Sequence, residues 1–142
     1  EPHHRQRRDR LDGRRRVVVV AVDNDHRVLL ERRPEKGLLA GLWMPPAQLG
    51  PHADPEIVAA MEHPDQVAEV LLGQPTGTLE MASDARWRFT HILLEPMVIK
   101  THYAELQPKA NQALKTLEEW RAEAVPSATY ALLAAVGMQR EP

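Results

Sequence analysis

The chain contains no cysteine among its 142 residues. It therefore cannot form a disulfide bond, and its own side chains cannot hold a thiolate zinc site or an iron–sulfur cluster. It also lacks an apolar run long enough to span a bilayer and a recognisable signal peptide, so we expect an intracellular protein without a membrane partner. Gly-rich phosphate loops and Gly-x-Ser-x-Gly elbows are absent too, which removes two common catalytic motifs from consideration.

Arginine is concentrated at the start of the chain. Residues 1–16 carry seven arginines and three acids, a net charge of +4, which leaves −6 for the rest because the whole chain carries −2. This segment has no apolar periodicity, so we predict a basic linker or disordered arm, with a phosphate-contacting arm as the alternative. Residues 17–142 are long enough for one domain with its own core. An acidic domain can touch DNA only through a small local patch, so another part of the protein would supply most of the affinity.

The domain opens with the pattern of a buried β-hairpin. Residues 17–22 form an apolar run, residues 23–25 an Asx-rich turn and residues 26–32 a second strand, and the continuous valines indicate a central position in a sheet. Residues 33–46 contain two glycines and a proline pair, which favours a loop folded over the sheet with Trp43 as its apolar anchor.

Helix signals occur in the middle and at the end of the chain. Asp54 followed by a proline predicts a helix start, and a second helical piece covers residues 65–72. We predict a short helix that starts with residues 117–120 and is broken before Pro126, and a final helix over residues 127–136 that Ser127 can cap.

Two strands are predicted between these helices. The first covers residues 76–81 and is followed by a turn at residues 82–85. The second is a long, largely buried strand over residues 92–103, in which Pro96 indicates an edge position or a bulge. The order of elements predicts an α+β fold, with a mixed sheet and helices packed against it.

The candidate site lies just before the long strand. Phe89, Thr90 and His91 bring one aromatic ring, one hydroxyl and one imidazole to the mouth of that strand, and a strand fixes the position of the loop that leads into it. This combination suits contact with a nucleic-acid base or a phosphate. The alternative is structural, with Phe89 capping the core and His91 hydrogen-bonded within the strand.

Three motifs occur in an order that is typical of one protein family. They are Leu29-Leu30-Glu31-Arg32-Arg33-Pro34 with Gly41-Leu42-Trp43 and Pro45, then Phe89-Thr90-His91, then Val125-Pro126-Ser127. In these motifs the chain resembles the Nudix-type fold and, more narrowly, the C-terminal domain of the adenine DNA glycosylases of the MutY family. The resemblance extends over residues 29–136.

The resemblance implies an α+β, Nudix-like mixed β-sheet with flanking helices. It also implies a non-catalytic domain that reads 8-oxoguanine opposite adenine in double-stranded DNA during base excision repair. No cofactor and no metal would be bound by this chain. The catalytic groups and an iron–sulfur cluster would belong to a missing N-terminal glycosylase domain, which is the expected protein partner. We expect an intracellular location with DNA, in the cytoplasm or nucleoid if the source is bacterial.

The resemblance also suggests roles for individual residues. Phe89 would wedge or pack near the lesion, and Thr90 and His91 would hydrogen-bond its polar edge or a nearby phosphate. Arg86 and Arg88 would supply local positive charge, which we infer from their position rather than from the family. The family usually has serine where this chain has Thr90, which keeps the hydroxyl but adds a methyl group and restricts χ1.

The alternative function is that of a Nudix hydrolase acting on nucleoside diphosphate-linked substrates. This chemistry needs several carboxylates on one helix face to hold Mg²⁺ or Mn²⁺ against a pyrophosphate. In the best alignment with the hydrolase signature, Asp65 and Glu69 are retained acids, but Pro64 replaces the arginine and Ala68 replaces one glutamate. We also expect Pro64 to break into the helix. A protein-interaction module is a third alternative, and a large exposed apolar patch would mark it.

Overall fold

The computed structural model describes residues 16–36, 40–49, 54–75, 77–84, 87–89 and 92–138, with the backbone alone described in 83–84, 87–89 and 92–94. Most of the predicted arm lies outside these residues, and its division from the domain stays a prediction.

Arg16, the last residue of that arm, is attached to the sheet. Its carbonyl accepts a hydrogen bond from the Met97 amide at 3.0 Å, and its Nε donates to the Leu49 carbonyl at 3.2 Å.

Nine strands and four helices make up the described part of the fold. The strands are β1 (Val17–Asp23), β2 (Arg27–Arg32), β3 (Trp43–Met44), β4 (Ala47–Gln48), β5 (Thr78–Asp84), β6 (Trp87–Phe89), β7 (Ile92–Leu94), β8 (Met97–Tyr103) and β9 (Gln112–Thr116). The helices are α1 (Pro55–Ala59), α2 (Pro64–Leu72), α3 (Leu117–Trp120) and α4 (Ser127–Ala135).

Seven of these strands form one mixed sheet. Neighbouring strands follow the order β3, β2, β1, β8, β5, and in addition β4 pairs with β1 and β9 pairs with β2. Strands β6 and β7 form a separate two-stranded sheet. The pairing of β1 with β8 is parallel, and the other strand pairs are antiparallel. The predicted α+β class, a mixed sheet with flanking helices, is confirmed.

Strand β1 lies at the centre of the sheet and is buried on both faces, as the valine run predicts. Successive side chains of a strand point to opposite faces. Alternate residues from Val17 to Ala21 pack in a core with α1 and α2, and those from Val18 to Val22 pack in a second core with α3 and α4. The helices therefore form two layers with the sheet between them.

Strands β1 and β2 separate along their length, and residues 43–48 are inserted between them. The two strands pair near the hairpin turn, at Val22 and Val28, whereas farther along β4 pairs with β1 and β3 pairs with β2. Part of the loop predicted over residues 33–46 is therefore a short strand. Trp43 is half-buried, and its ring centroid lies 5.1 Å from that of Trp120, so its role as an apolar anchor is confirmed.

Helices α1 and α2 form on one face of the sheet, where the sequence predicts them. Asp54 caps α1, because its side chain accepts a hydrogen bond from the Glu56 amide at 2.8 Å. Helix α2 begins at Pro64 and ends at Gly73, whose φ of 68° favours glycine. The expectation that Pro64 breaks into this helix is wrong, because the first helical position does not need an amide hydrogen.

Helix α3 joins the second core to strand β2. A capping box between Thr116 and Glu119 starts the helix, with bonds of 3.2 and 3.0 Å. Trp120 is fully buried, and its indole Nε1 donates to the Val28 carbonyl at 3.1 Å. Lys115 Nζ lies 5.2 Å from the centroid of the same ring.

The strand predicted over residues 92–103 is in fact two strands. Strand β7 pairs with β6, whereas β8 lies inside the main sheet between β1 and β5. Pro96, which is buried, precedes β8 instead of occupying an edge or a bulge within it, since a proline has no amide hydrogen for an interior strand. Residues 82–84, predicted as a turn, belong to β5, where pairing with β8 outweighs the local turn preference.

The final helix also starts differently from the prediction. Its N-cap residue is Pro126, with no side-chain hydrogen bond to the helix, so Ser127 is the first helical residue instead of the cap. The helix ends before Gly137, which has a φ of 85°.

Trp120→Ala is expected to lower the free energy of unfolding by about 3–5 kcal/mol. The substitution leaves a cavity in the second core and removes the partner of the Val28 carbonyl. Denaturant unfolding of the unchanged chain and of the variant measures the difference. Leu79→Ala is the control, because Leu79 is 41% exposed and its truncation should change stability by about 0.5 kcal/mol or less. Equal losses for both variants would contradict the packing described above.

Asp23 should contribute stability that depends on pH. Burial by itself raises the pKa of Asp23, but hydrogen bonds from Arg27 and the Asp25 amide outweigh it and lower the pKa below 3.8. A lowered folded-state pKa means that the stabilisation is present above the unfolded value and is lost as the pH falls through the folded value. Asp23→Asn should therefore flatten the dependence of the unfolding free energy on pH between about 5 and 2. An unchanged profile for Asp23→Asn would refute this assignment.

Candidate nucleic-acid interface

Four strands of the main sheet come together at one end. Asp84 of β5 pairs with Met97 of β8, Met97 with Val17 of β1, and Val17 with Gln48 of β4. We call this the arm end of the sheet, because residues 1–15 join the domain there through Arg16. The opposite end, with the hairpin turn between β1 and β2, is the turn end. Strand β1 has seven residues, so at about 3.3 Å per residue the two ends lie about 20 Å apart.

The β6–β7 hairpin lies at the arm end. It connects Asp84, the last residue of β5, to Met97, the first residue of β8, and β6 lies against α4. The hairpin has its own register, which runs from the Trp87–Leu94 pair to the Phe89–Ile92 pair. The candidate segment is therefore attached to the sheet through the edge strand β5 and the interior strand β8.

The predicted site residues divide between described and undescribed positions. Arg88 and Phe89 are in strand β6, and their backbone pairs with β7. Thr90 and His91 separate β6 from β7 in the sequence, and they lie outside the described residues, as does Arg86. The strand that follows this segment is the short β7 and not the long strand of the main sheet that we expected. The roles of all five residues stay predictions.

Arg33 is a further polar group near the arm end, and in the sequence it stands out only as part of a motif. Its Nη1 donates to the Ala47 carbonyl at 3.4 Å, and its buried Nε has no hydrogen-bond partner. Burial lowers the pKa of Arg33, and the charge of Glu31 partly opposes that effect. Alternation along β2 could have revealed it, since exposed Arg32 and half-buried Arg33 point to opposite faces.

The acids of α2 do not make a site for a divalent cation. Asp65 lies in the first turn and Glu69 one turn later, and both are exposed. No three histidine or acidic residues in the described ranges lie close enough together to hold a metal ion. Mg²⁺ and Mn²⁺ bind hard oxygen donors in octahedral geometry, and two exposed carboxylates are a weak donor set.

A cavity of about 830 Å³ opens at the turn end. Its lining mixes charges of both signs, including Lys100, Arg121 and Glu118, with His26 and His102. Lys100 Nζ is already paired with Glu80 at 3.2 Å. The lining therefore gives the cavity no strong preference for an anion.

No helix in the described ranges is both long and apolar enough to cross a membrane. The longest, α2 and α4, have nine residues each.

Several solved structures share this fold. The C-terminal domain of mouse MUTYH, solved in complex with human PCNA, matches with a TM-score of 0.61 and 22% identity over 85% of each chain. The Nudix hydrolase RenU from M. smegmatis matches with a TM-score of 0.55 and 16% identity over 85% of this chain and 84% of that one. The NUDIX domain of Shewanella oneidensis NrtR, solved with ADP ribose, matches with a TM-score of 0.54 and 14% identity over the same shares.

At these identities the structural matches establish the fold alone. The comparison with curated proteins gives no significant match. The sequence model of the NUDIX domain matches residues 17–135, from the first residue of β1 to the last residue of α4. With most of its length covered by that model and its sheet and helices arranged as described, the chain belongs to the NUDIX domain family.

Proposed function

We propose that this chain is the non-catalytic lesion-recognition domain of an A/G-specific adenine DNA glycosylase and reads 8-oxoguanine opposite adenine. The observation that carries the proposal is the β6–β7 hairpin at the arm end. Its strands flank Thr90 and His91 in the sequence, and Phe89 is the last residue of β6. A short hairpin anchored through β5 and β8 is a rigid mount for a few base-reading side chains.

The donor set of α2 supports a binding role over hydrolysis. A Nudix hydrolase needs a cluster of carboxylates for its cations, and Asp65 and Glu69 do not supply one. Among the similar structures is the C-terminal domain of mouse MUTYH, which was solved with a protein partner, PCNA. The three sequence motifs support the narrower proposal, and this likeness supports the fold that carries them.

The proposed contacts follow the chemistry of the lesion. 8-Oxoguanine differs from guanine mainly by the carbonyl at C8 and the N7–H, so reading it takes a short-range donor or acceptor. Thr90 and His91 carry such groups, and Phe89 offers an apolar ring that packs or wedges beside the base. Arg86 and Arg88 supply local positive charge for a phosphate.

The glycosidic bond would be hydrolysed elsewhere in the parent protein. On this proposal an N-terminal glycosylase domain supplies the catalytic groups and the iron–sulfur cluster, for which this cysteine-free chain has no thiolate ligand. The parent protein then works inside the cell on double-stranded DNA that contains the oxidised mispair.

In the full-length parent, His91→Ala should reduce discrimination for 8-oxoguanine over guanine by about ten- to a hundredfold, because a well-placed base contact contributes about 1–3 kcal/mol. The measurements are affinity and adenine excision on duplexes that differ only in that oxidation, at two salt concentrations. Phe89→Ala should also reduce this discrimination. Thermal unfolding of this variant shows whether the reduction comes from lost recognition or from lost stability.

His63→Ala is the matched control for this experiment, since His63 is exposed and lies between α1 and α2. It should leave both affinities unchanged. If His91→Ala weakens both duplexes equally and makes the salt dependence shallower, His91 contacts a phosphate and the lesion-reading role belongs to other residues.

The second candidate function is hydrolysis of nucleoside diphosphate-linked substrates. We test it because the chain belongs to the NUDIX domain family and its fold is similar to that of RenU. We expect the purified chain to show no metal-dependent turnover of a panel of nucleoside triphosphates with Mg²⁺ or Mn²⁺. Turnover that Glu69→Gln abolishes, and that the exposed-acid variant Glu105→Gln retains, would favour the hydrolase instead.

A further inference from the structure

The charged side chains near the turn end are largely neutralised. Arg27 and Lys115 each have a nitrogen close to a carboxylate oxygen, at 2.8 and 2.6 Å respectively. Lys100, in the middle of β8, has one at 3.2 Å. Arg121 is an exception, because it is exposed and has no side-chain partner within the described part of the chain. A polyanion that approached this end would compete with ion pairs that are already formed.

The cations at the arm end are bound differently. Arg16, Arg32 and Arg33 donate to backbone carbonyls of Leu49, Gly41 and Ala47, at 3.2, 3.4 and 3.4 Å. None of these arginines has a carboxylate within ion-pair distance among the described residues, and the same holds for Lys36. A neutral carbonyl accepts a hydrogen bond without cancelling the charge, so the charges of Arg16 and Arg32 stay available to a ligand. The charge of Arg33 interacts with that of Glu31.

The acids near the arm end are partly engaged, and many of the remaining acids lie elsewhere. Glu31 accepts a hydrogen bond from Gln112 at 3.0 Å, and Asp54 caps α1. Glu35 and Glu95 are exposed, and Asp84, the last residue of β5, also lies at this end. Residues 37–85 contain no lysine or arginine. Several acids of that stretch are exposed on or between α1 and α2, in the helical layer on one face of the sheet.

We propose that the arm end of the sheet is the surface that lies against the DNA backbone, and that Arg32 and Lys36 contact phosphates there. Both side chains are exposed. Arg32 is the last residue of β2, at the end of that strand away from the hairpin turn, and Lys36 follows four residues later in the chain. This inference rests on the proposed function and adds residues that bind the duplex without reading its sequence. Binding at this end leaves the acidic helices α1 and α2 beside the duplex instead of against it.

The test is the affinity of the 142-residue chain for an 8-oxoguanine duplex and a matched guanine duplex across a series of salt concentrations. The double variant Arg32→Gln/Lys36→Gln should bind both duplexes several-fold more weakly at low salt. It should also lower the slope of log K against log salt by about two, since each phosphate contact contributes about 0.9. Thermal unfolding of the variant checks that the fold is retained.

Arg121→Gln is the matched control, because it removes one exposed, unpaired arginine from the turn end. Its affinity and salt slope should equal those of the unchanged chain. The inference is overturned if Arg121→Gln weakens binding as much as the double variant, if the double variant binds with unchanged slope, or if the chain binds neither duplex at low salt.

The same measurements separate this inference from the proposed function. Equal affinity of the full-length parent for the oxidised and unoxidised duplexes would defeat lesion recognition. A reduced salt slope confined to the double variant would still support the phosphate-contacting surface in that case. Conversely, strong lesion discrimination together with an unchanged salt slope for the double variant would support the proposed function. It would show that Arg32 and Lys36 do not contact phosphates.

Discussion

The parallel pairing of β1 with β8 is the interaction on which the rest of the structure depends. It extends over all seven residues of each strand, and β1 is buried on both faces by two separate cores. Burial of a valine side chain contributes about 1.5–3 kcal/mol, so these two strands hold most of the domain in register. Strand β5 is positioned by β8, and the β6–β7 hairpin is positioned by both. The β6–β7 hairpin is therefore joined to the buried centre of the sheet through β8.

Helix α2 shows that the packing of the scaffold and the chemistry of its surface can vary separately. Helix α2 packs its apolar side under the sheet and exposes Asp65 and Glu69, which meet the requirements of packing without meeting those of a cation site. Family membership therefore establishes the architecture, whereas the chemistry depends on a few side chains that packing leaves free to vary. On the proposed function, the chain keeps the sheet and the helices of the family and uses a strand connection as its working surface.

Net charge is a poor guide to the partner of this domain. A charge of −6 over residues 17–142 predicts repulsion from DNA if the charge is treated as uniform. In the structure, several acids are exposed in one helical layer, and cations near the turn end are paired with carboxylates. The arginines at the arm end donate to neutral carbonyls instead. Local potential depends on which charges are compensated, and only the folded arrangement of side chains decides that.

The sequence by itself determined the elements whose signals are local. The valine run with its Asx turn predicts β1 and β2, Asp54 with a following proline predicts the start of α1, and the motif order predicts a Nudix-like fold. Tertiary structure alone decided the division of residues 92–103 into β7 and β8, the strand assignment of residues 82–84, and the position of the hairpin at the arm end. These features depend on pairing between strands that are distant in the sequence, and such pairing overrides local propensity because each strand needs a hydrogen-bonding partner and a buried face.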